Sequence, residues 1–190
     1  LIHRDWKNDH VEFRGFATYG TSEGEVNRDS QLLGGLWRHF YQPEFYSYAS
    51  LEMSRDEVQD RSFRGLFNVG AGYILWQESD LELFSIEGGL GYRVEVYSGV
   101  TATRHDATAR LAALYKDLLF EDVQFTQSAE IIFPVTDVNS FIARSESLLA
   151  IPLNEAWAFR FGLRLEWNND PAAGRDELDV LATTGLEYKF

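Results

Sequence analysis

From Ala156 to Asn168 the apolar residues Trp157, Phe159, Phe161, Leu163, Leu165 and Trp167 take every odd position, with Arg160, Gly162, Arg164 and Glu166 between them. A period of two over this length predicts a strand with one oily and one charged face. The final segment repeats the pattern: Leu178, Val180, Ala182, Thr184, Leu186, Tyr188 and Phe190 alternate with Asp179, Thr183, Gly185, Glu187 and Lys189. Asp80 to Tyr97 does the same, setting Phe84, Ile86, Leu90, Tyr92, Val94 and Val96 against Ser85, Glu87, Gly89, Gly91, Arg93 and Glu95. Weaker alternation marks His105 to Asp117, Val123 to Phe133 and Arg61 to Leu75, and less regular stretches cover Val11 to Gly20, Gln31 to Tyr41, Phe45 to Ser54 and Ser140 to Ile151. The pattern predicts about ten strands in an antiparallel up-and-down meander, with no amphipathic helix.

The connectors alternate in length. Gln42 to Glu44, Gln77 to Asp80, Leu118 to Asp122 and Pro152 to Ala156 are short, whereas Thr21 to Ser30, Ser54 to Ser62, Ser98 to Asp106, Pro134 to Asn139 and Asn168 to Glu177 are long and polar. Short turns at one end and long loops at the other are what a membrane β-barrel requires. Periodicity alone does not say which face lies inside, because a soluble barrel and a membrane barrel exchange them. Trp157 and Trp167 favour the membrane form. At roughly 3.3 Å per residue and about 40° tilt, ten residues separate them by some 25 Å along the axis, the height between two aromatic girdles.

Composition narrows the choice. The 190 residues suit one domain spanning 1–190, with residues 1–9 as the remnant of a preceding strand and turn. The chain has no cysteine, which excludes disulfides, thiolate metal sites and cysteine nucleophiles. Its net charge of −13 would repel a phosphate backbone, so nucleic acid is not an expected partner. No run of 18 apolar residues is present, which excludes a transmembrane helix and leaves a barrel open. The opening Leu1 to Asp5 does not read as a signal peptide, so a mature or truncated chain is expected.

The chain end carries the most specific signal. Thr183, Gly185, Tyr188 and Phe190 fill the polar, glycine, hydrophobic and terminal aromatic positions of the insertion signal of bacterial outer-membrane barrels. An exposed last strand of this kind suits edge pairing with the barrel assembly machinery. The chain also resembles the YdiY-like family of salt-induced outer-membrane proteins, whose domain has no assigned function. The likeness rests on Phe45-Tyr46-Ser47-Tyr48-Ala49-Ser50-Leu51-Glu52, Asn68-Val69-Gly70-Ala71-Gly72-Tyr73, Glu87-Gly88-Gly89-Leu90-Gly91-Tyr92 and Thr184 to Phe190. The resemblance implies an outer-membrane location, a stress-related role and another hairpin before Val11, hence about twelve strands in the full protein. With Phe190 in the periplasm, the short turns are periplasmic and the long loops extracellular.

On that orientation the lumen receives Glu87, Arg93, Glu95, Arg110, Glu130, Arg144, Glu146, Arg160, Arg164 and Glu166. In a barrel of ten to twelve strands, with a radius on the order of 10 to 12 Å, such side chains form a plug of paired charges more readily than an open channel. No cofactor or metal site is expected. The glycine clusters are not followed by a helix, as a nucleotide loop requires, and no His/Asp/Glu spacing indicates a metal. The histidines are His3, His10, His39 and His105, with His39 near a short-turn end. Ser98, His105 and Asp106 do not make a triad, because adjacent strand residues point to opposite faces. The expectation is a non-catalytic outer-membrane barrel with an envelope structural or stress role, its partners being membrane lipid, lipopolysaccharide, the assembly machinery and an envelope complex. A narrow porin-like conduit and a soluble lipocalin-like binder are the alternatives.

Overall fold

The computed structural model describes the chain apart from residues 1, 23–24, 57–60, 99–102, 121, 172–175 and 189–190, and describes side chains in the remainder except at 2, 3, 5, 18, 20–22 and 25–29. Every regular element in it is a strand: β1 Ile2–Asp5, β2 Asp9–Ser22, β3 Glu25–Phe40, β4 Phe45–Asp56, β5 Arg61–Ser79, β6 Glu82–Tyr97, β7 Arg104–Leu119, β8 Val123–Pro134, β9 Ile142–Pro152, β10 Trp157–Asn168 and β11 Leu178–Tyr188. Each pairs antiparallel with its neighbour in sequence, so one sheet runs from β1 to β11 as an up-and-down meander. The fold is all-β and barrel-like. Where the sequence suggests about ten strands, the sheet has eleven, the extra one being the short β1 against His10 to Phe13.

Several connectors are tighter than their composition suggests. Thr21 to Ser30 is polar apart from Gly24 and Val26, yet β2 runs to Ser22 and β3 starts at Glu25, pairing as far as Ser22 with Glu25. Backbone pairing there outweighs the poor strand propensity of the side chains. Similarly, Gln77 to Ser79 belongs to β5, leaving Asp80 and Leu81 as the turn. Connectors of two to four residues lie at one end with the end of β11; the three longest, 98–103, 135–141 and 169–177, lie at the other, where β2 and β3 are nonetheless separated by only two residues.

Curvature is visible in the side chains. Glu52 on β4 and Arg144 on β9 are five strands apart, about 24 Å in a flat sheet at roughly 4.8 Å per strand. Their side chains meet at 2.9 Å. Arg64 on β5 and Glu166 on β10, equally far apart in strand order, meet at 2.8 Å. At the seam the Arg164 guanidinium lies 5.6 Å from the Phe16 ring of β2. The sheet therefore wraps around a common centre, although among the described residues no ladder joins β11 to β1.

Glycines let it wrap. Gly70 and Gly72 on β5 and Gly89 on β6 share the concave face under Tyr46 and Tyr48, and Gly91 on the same face lies against Asn68. A methyl group at Gly70 would stand 2.8 Å from the Tyr48 ring, and one at Gly89 2.5 Å from its hydroxyl; one at Gly72 would enter the Tyr46 ring. The two tyrosines, each 2% exposed, lie flat on this glycine floor. Three phrases far apart in the sequence, around Tyr46, Gly70 and Gly89, thus form one packing unit.

Candidate functional site

The concave face holds the charges. Arg64 is fully buried and Arg93 and Glu95 are 1% exposed, whereas on the convex face Leu90 is 64% and Leu111 57% exposed. The register explains this division: from Gly70 opposite Gly89 to Arg110 opposite Ile132 and Glu130 opposite Arg144, the polar member of each alternation faces inward.

These charges form one connected network. Arg38 binds Glu87 at 2.8 Å, and Glu87 binds Arg110 at 2.8 Å. Arg110 reaches Glu130 at 2.9 Å, and Glu130 reaches Arg144 at 3.0 Å. Arg144 is a hub, holding Glu52 at 2.9 Å and Glu166 at 3.0 Å, while Arg14 adds a second contact to Glu52 at 2.9 Å. Glu166 is the other hub, with Arg64 at 2.8 Å, Arg164 at 3.2 Å and Arg61 at 3.9 Å. From Arg64 the chain continues to Glu95 at 2.5 Å and Arg93 at 3.7 Å, then to Asp106 at 2.7 Å and Arg104 at 2.9 Å. Every cation in it is an arginine, whose planar fork can bridge two or three carboxylates at once as a lysine cannot. Alternation of sign offsets the large cost of desolvating each ion, because each buried charge has an opposite neighbour.

The network divides the interior. In the half nearest the long connectors, Arg64, Arg93, Glu95, Thr108, Ile132 and Ile142 leave no more than 2% of their surface exposed and fill the centre. Arg104 ties this end down, binding Asp170 at 2.5 Å and the Ser140 hydroxyl, while Asn169 donates to the Asn139 carbonyl at 2.6 Å. In the half nearest the short turns lies a cavity of about 830 Å³, lined among others by Leu36, Phe40, Ile74, Leu83, Leu114 and Lys116. The cavity ends on Glu52, Glu130, Arg144 and Arg164 of the network.

The expected lumen residues separate into three groups. Glu87, Arg93, Glu95, Arg110, Glu130, Arg144, Arg164 and Glu166 lie in the network. Arg160 pairs with Glu187 on β11 at 2.8 Å, apart from it and much more exposed. Glu146 faces the cavity but takes no ion pair among the described residues, because Arg164, opposite it in the ladder, turns to Glu166 instead. Arg14, Arg38, Glu52, Arg61, Arg64 and Arg104 complete the network without standing out as lumen residues in the sequence, and Asp106, weighed there only beside His105, joins them. Inward alternation in β4 and β5 could have found Glu52 and Arg64.

Trp157 and Trp167 both lie on the convex face, 42% and 40% exposed. Trp157 packs on Tyr188 with ring centroids 4.9 Å apart, and Trp167 donates to Asn169 at 3.3 Å. Thr183 and Gly185 sit on the opposite face of β11, and Phe190 lies outside the described residues. His105 and Asp106 point to opposite faces: His105 contacts the Tyr92 hydroxyl at 3.1 Å outside, and Asp106 joins Arg93 inside.

A family model described as a protein of unknown function, DUF481, matches residues 2–190. The chain belongs to the DUF481 family. This is the YdiY-like family that the phrases around Tyr46, Gly70 and Gly89 resemble. No curated protein and no solved structure matches the chain. In this DUF481 protein those phrases build the tyrosine-on-glycine floor, and Tyr46 donates from it to Glu87 at 3.0 Å, so the family-like residues and the charge network are physically continuous.

Proposed function

We propose that this DUF481 protein is an integral outer-membrane β-barrel whose interior is plugged by paired charges, serving the bacterial envelope in a structural or stress-related role. The observation that carries the reading is the inversion of its faces: Arg64 and Glu95 are buried at the centre while Phe13, Leu33, Leu90 and Leu111 stand more than half exposed outside. A surface with so many large apolar side chains is costly in water and stable in hydrocarbon. The gathering of the three longest connectors at one end and the end of β11 at the other, short-turn rim favour an orientation with that rim in the periplasm. Lipid and lipopolysaccharide are the partners such a belt would meet, with the assembly machinery acting during insertion.

The network argues for a barrier over a porin-like conduit, since two hubs and the Arg104 latch lie across the path above the cavity. Reconstitution into planar bilayers tests this. The expected result is no steady current from the wild-type protein and a measurable one from a double variant that cuts both hubs, Arg144→Ala with Glu166→Ala. Sustained wild-type conductance would replace the barrier with the conduit. Recovery of the protein as a monodisperse species without detergent would overturn the membrane reading itself.

A further inference from the structure

A second constellation lies outside the barrel, at the short-turn rim. Asp9, His39 and Ser47 stand on β2, β3 and β4 as one row of directly paired positions, Asp9 opposite His39 and His39 opposite Ser47. All three point to the convex face, beside Trp37, Tyr41 and Phe45. His39 Nδ1 lies 2.9 Å from Asp9 Oδ1, and Trp37 Nε1 donates to the same oxygen at 2.9 Å. An ionised carboxylate only accepts, so Nδ1 carries the proton and Nε2 is left as a base. On the other side of His39, the Ser47 hydroxyl rests 3.2 Å from Tyr41 Oη, and the Tyr41 ring packs edge-on against the imidazole at 4.9 Å.

We propose that Asp9, His39 and Ser47 form an esterase site for acyl esters of membrane lipids. Paired neighbours on adjacent strands have Cβ atoms about 4.5 to 5.5 Å apart, so a χ1 rotation of Ser47 away from Tyr41 brings its hydroxyl toward His39. Ser47 Oγ then attacks the acyl carbonyl carbon as its proton passes to His39 Nε2, and the carbonyl π pair moves onto oxygen, where Tyr41 Oη donates to it. Collapse breaks the ester C–O bond, and the leaving alkoxide takes the proton from His39. Water repeats the sequence on the acyl-enzyme, for a net conversion of ester and water to fatty acid and alcohol. Asp9 is a positioning residue that holds the imidazole tautomer, and Trp37 orients Asp9. The substrate class rests on the membrane reading above, because exposed Trp37 and Tyr41 mark the interfacial level at which lipid ester linkages lie.

The test uses the protein in detergent micelles with three probes: a water-soluble fluorophosphonate, p-nitrophenyl butyrate, and phosphatidylethanolamine in mixed micelles. The expected result is one labelled serine, identified as Ser47 by mass spectrometry, with hydrolysis of both esters. Ser47→Ala and His39→Gln should each lose about a thousandfold or more of the activity, while Ser145→Ala, on the outer face of β9, labels and hydrolyses as wild type. Asp9→Asn should lower kcat with KM unchanged, and Asp9→Glu should restore part of it. All variants are compared only where their unheated gel mobility matches the wild type, and His39→Asn replaces His39→Gln if that variant misfolds. No labelling of the wild type, or labelling that survives in Ser47→Ala, overturns the proposal. Labelling and butyrate hydrolysis without phospholipid cleavage overturns the lipid substrate alone. Because the first two probes need no bilayer, failure here is separable from failure of the membrane assignment.

Discussion

Single residues in this barrel differ widely in what their loss should cost, and burial decides the difference. Glu166 stands among Arg64, Arg144, Arg61 and Arg164 at the centre. Glu166→Leu strands several buried cations at once and should destabilise by about 3 to 5 kcal/mol, the range for breaking a buried pair. Arg160 and Glu187 are 42% and 32% exposed, and Arg160→Ala should cost about 1 kcal/mol or less. Urea unfolding in detergent would compare the two. Gly72 makes a steric prediction of the same kind. Gly72→Ala drives a methyl group into the Tyr46 ring, which is buried and bonded to Glu87, and overpacking of this sort costs about 1 to 3 kcal/mol. A Gly72→Ala protein as stable as wild type would show that the tyrosine floor is not tightly packed. Some of these residues were readable early and others were not. Glu166, Arg164 and Arg160 stand out because β10 alternates without a fault. Glu52, Arg64 and Arg38 are hidden because the apolar side chains of Tyr48, Leu66 and Leu36 share their inward face and blur the alternation, and because their partners sit on distant strands. Arg64 and Glu166 are 102 positions apart and meet only once the sheet has curled.

At the level of elements, strand type was far easier to read than strand length. β10 and β11 were plain from a period of two, since a one-residue slip would bury every aromatic side chain and expose every arginine. The hairpin of β2 and β3 was not, because Thr21 to Ser30 has loop chemistry while its backbone continues the ladder to Ser22 and Glu25. Polar strand ends of that kind suit a hairpin that projects past an apolar belt. Position within the belt carries its own prediction. Leu163 lies on the convex face midway between Trp157 and Trp167, and Leu163→Arg should cost about 2 to 4 kcal/mol in lipid. The same change at Ser47 or Ile151, nearer the rim, should cost about 1 kcal/mol or less. Equal effects at both depths, measured by folding into liposomes, would contradict a belt with a hydrophobic middle.

The whole molecule is organised by one exchange: ions inside, apolar side chains outside, with the charge network set toward the longest connectors and the cavity toward the other end. That asymmetry lay beyond sequence reading. It depends on which side chains of β4, β5, β9 and β10 converge, and on Arg104 gathering Asp170 and Ser140 across three segments. The plug and the rim site make different demands. A barrier needs the Arg144 and Glu166 hubs intact, whereas the Asp9, His39 and Ser47 row needs only three neighbouring strands in register. Variants at one should therefore leave the other unchanged, so the network and the rim can be tested separately in one protein.

Because the chain contains no cysteine, single cysteines can be placed at will and spin-labelled. The most direct measurement scans positions 159 to 166 of β10 in liposomes, recording collisions with oxygen, which concentrates in lipid, and with a polar nickel reagent, which does not. Oxygen collisions should peak at 159, 161, 163 and 165 and fall at 160, 162, 164 and 166, with a period of two and a maximum near Leu163. Peaks at the even positions, or no alternation across the segment, would mean that the charged face of this strand does not look inward.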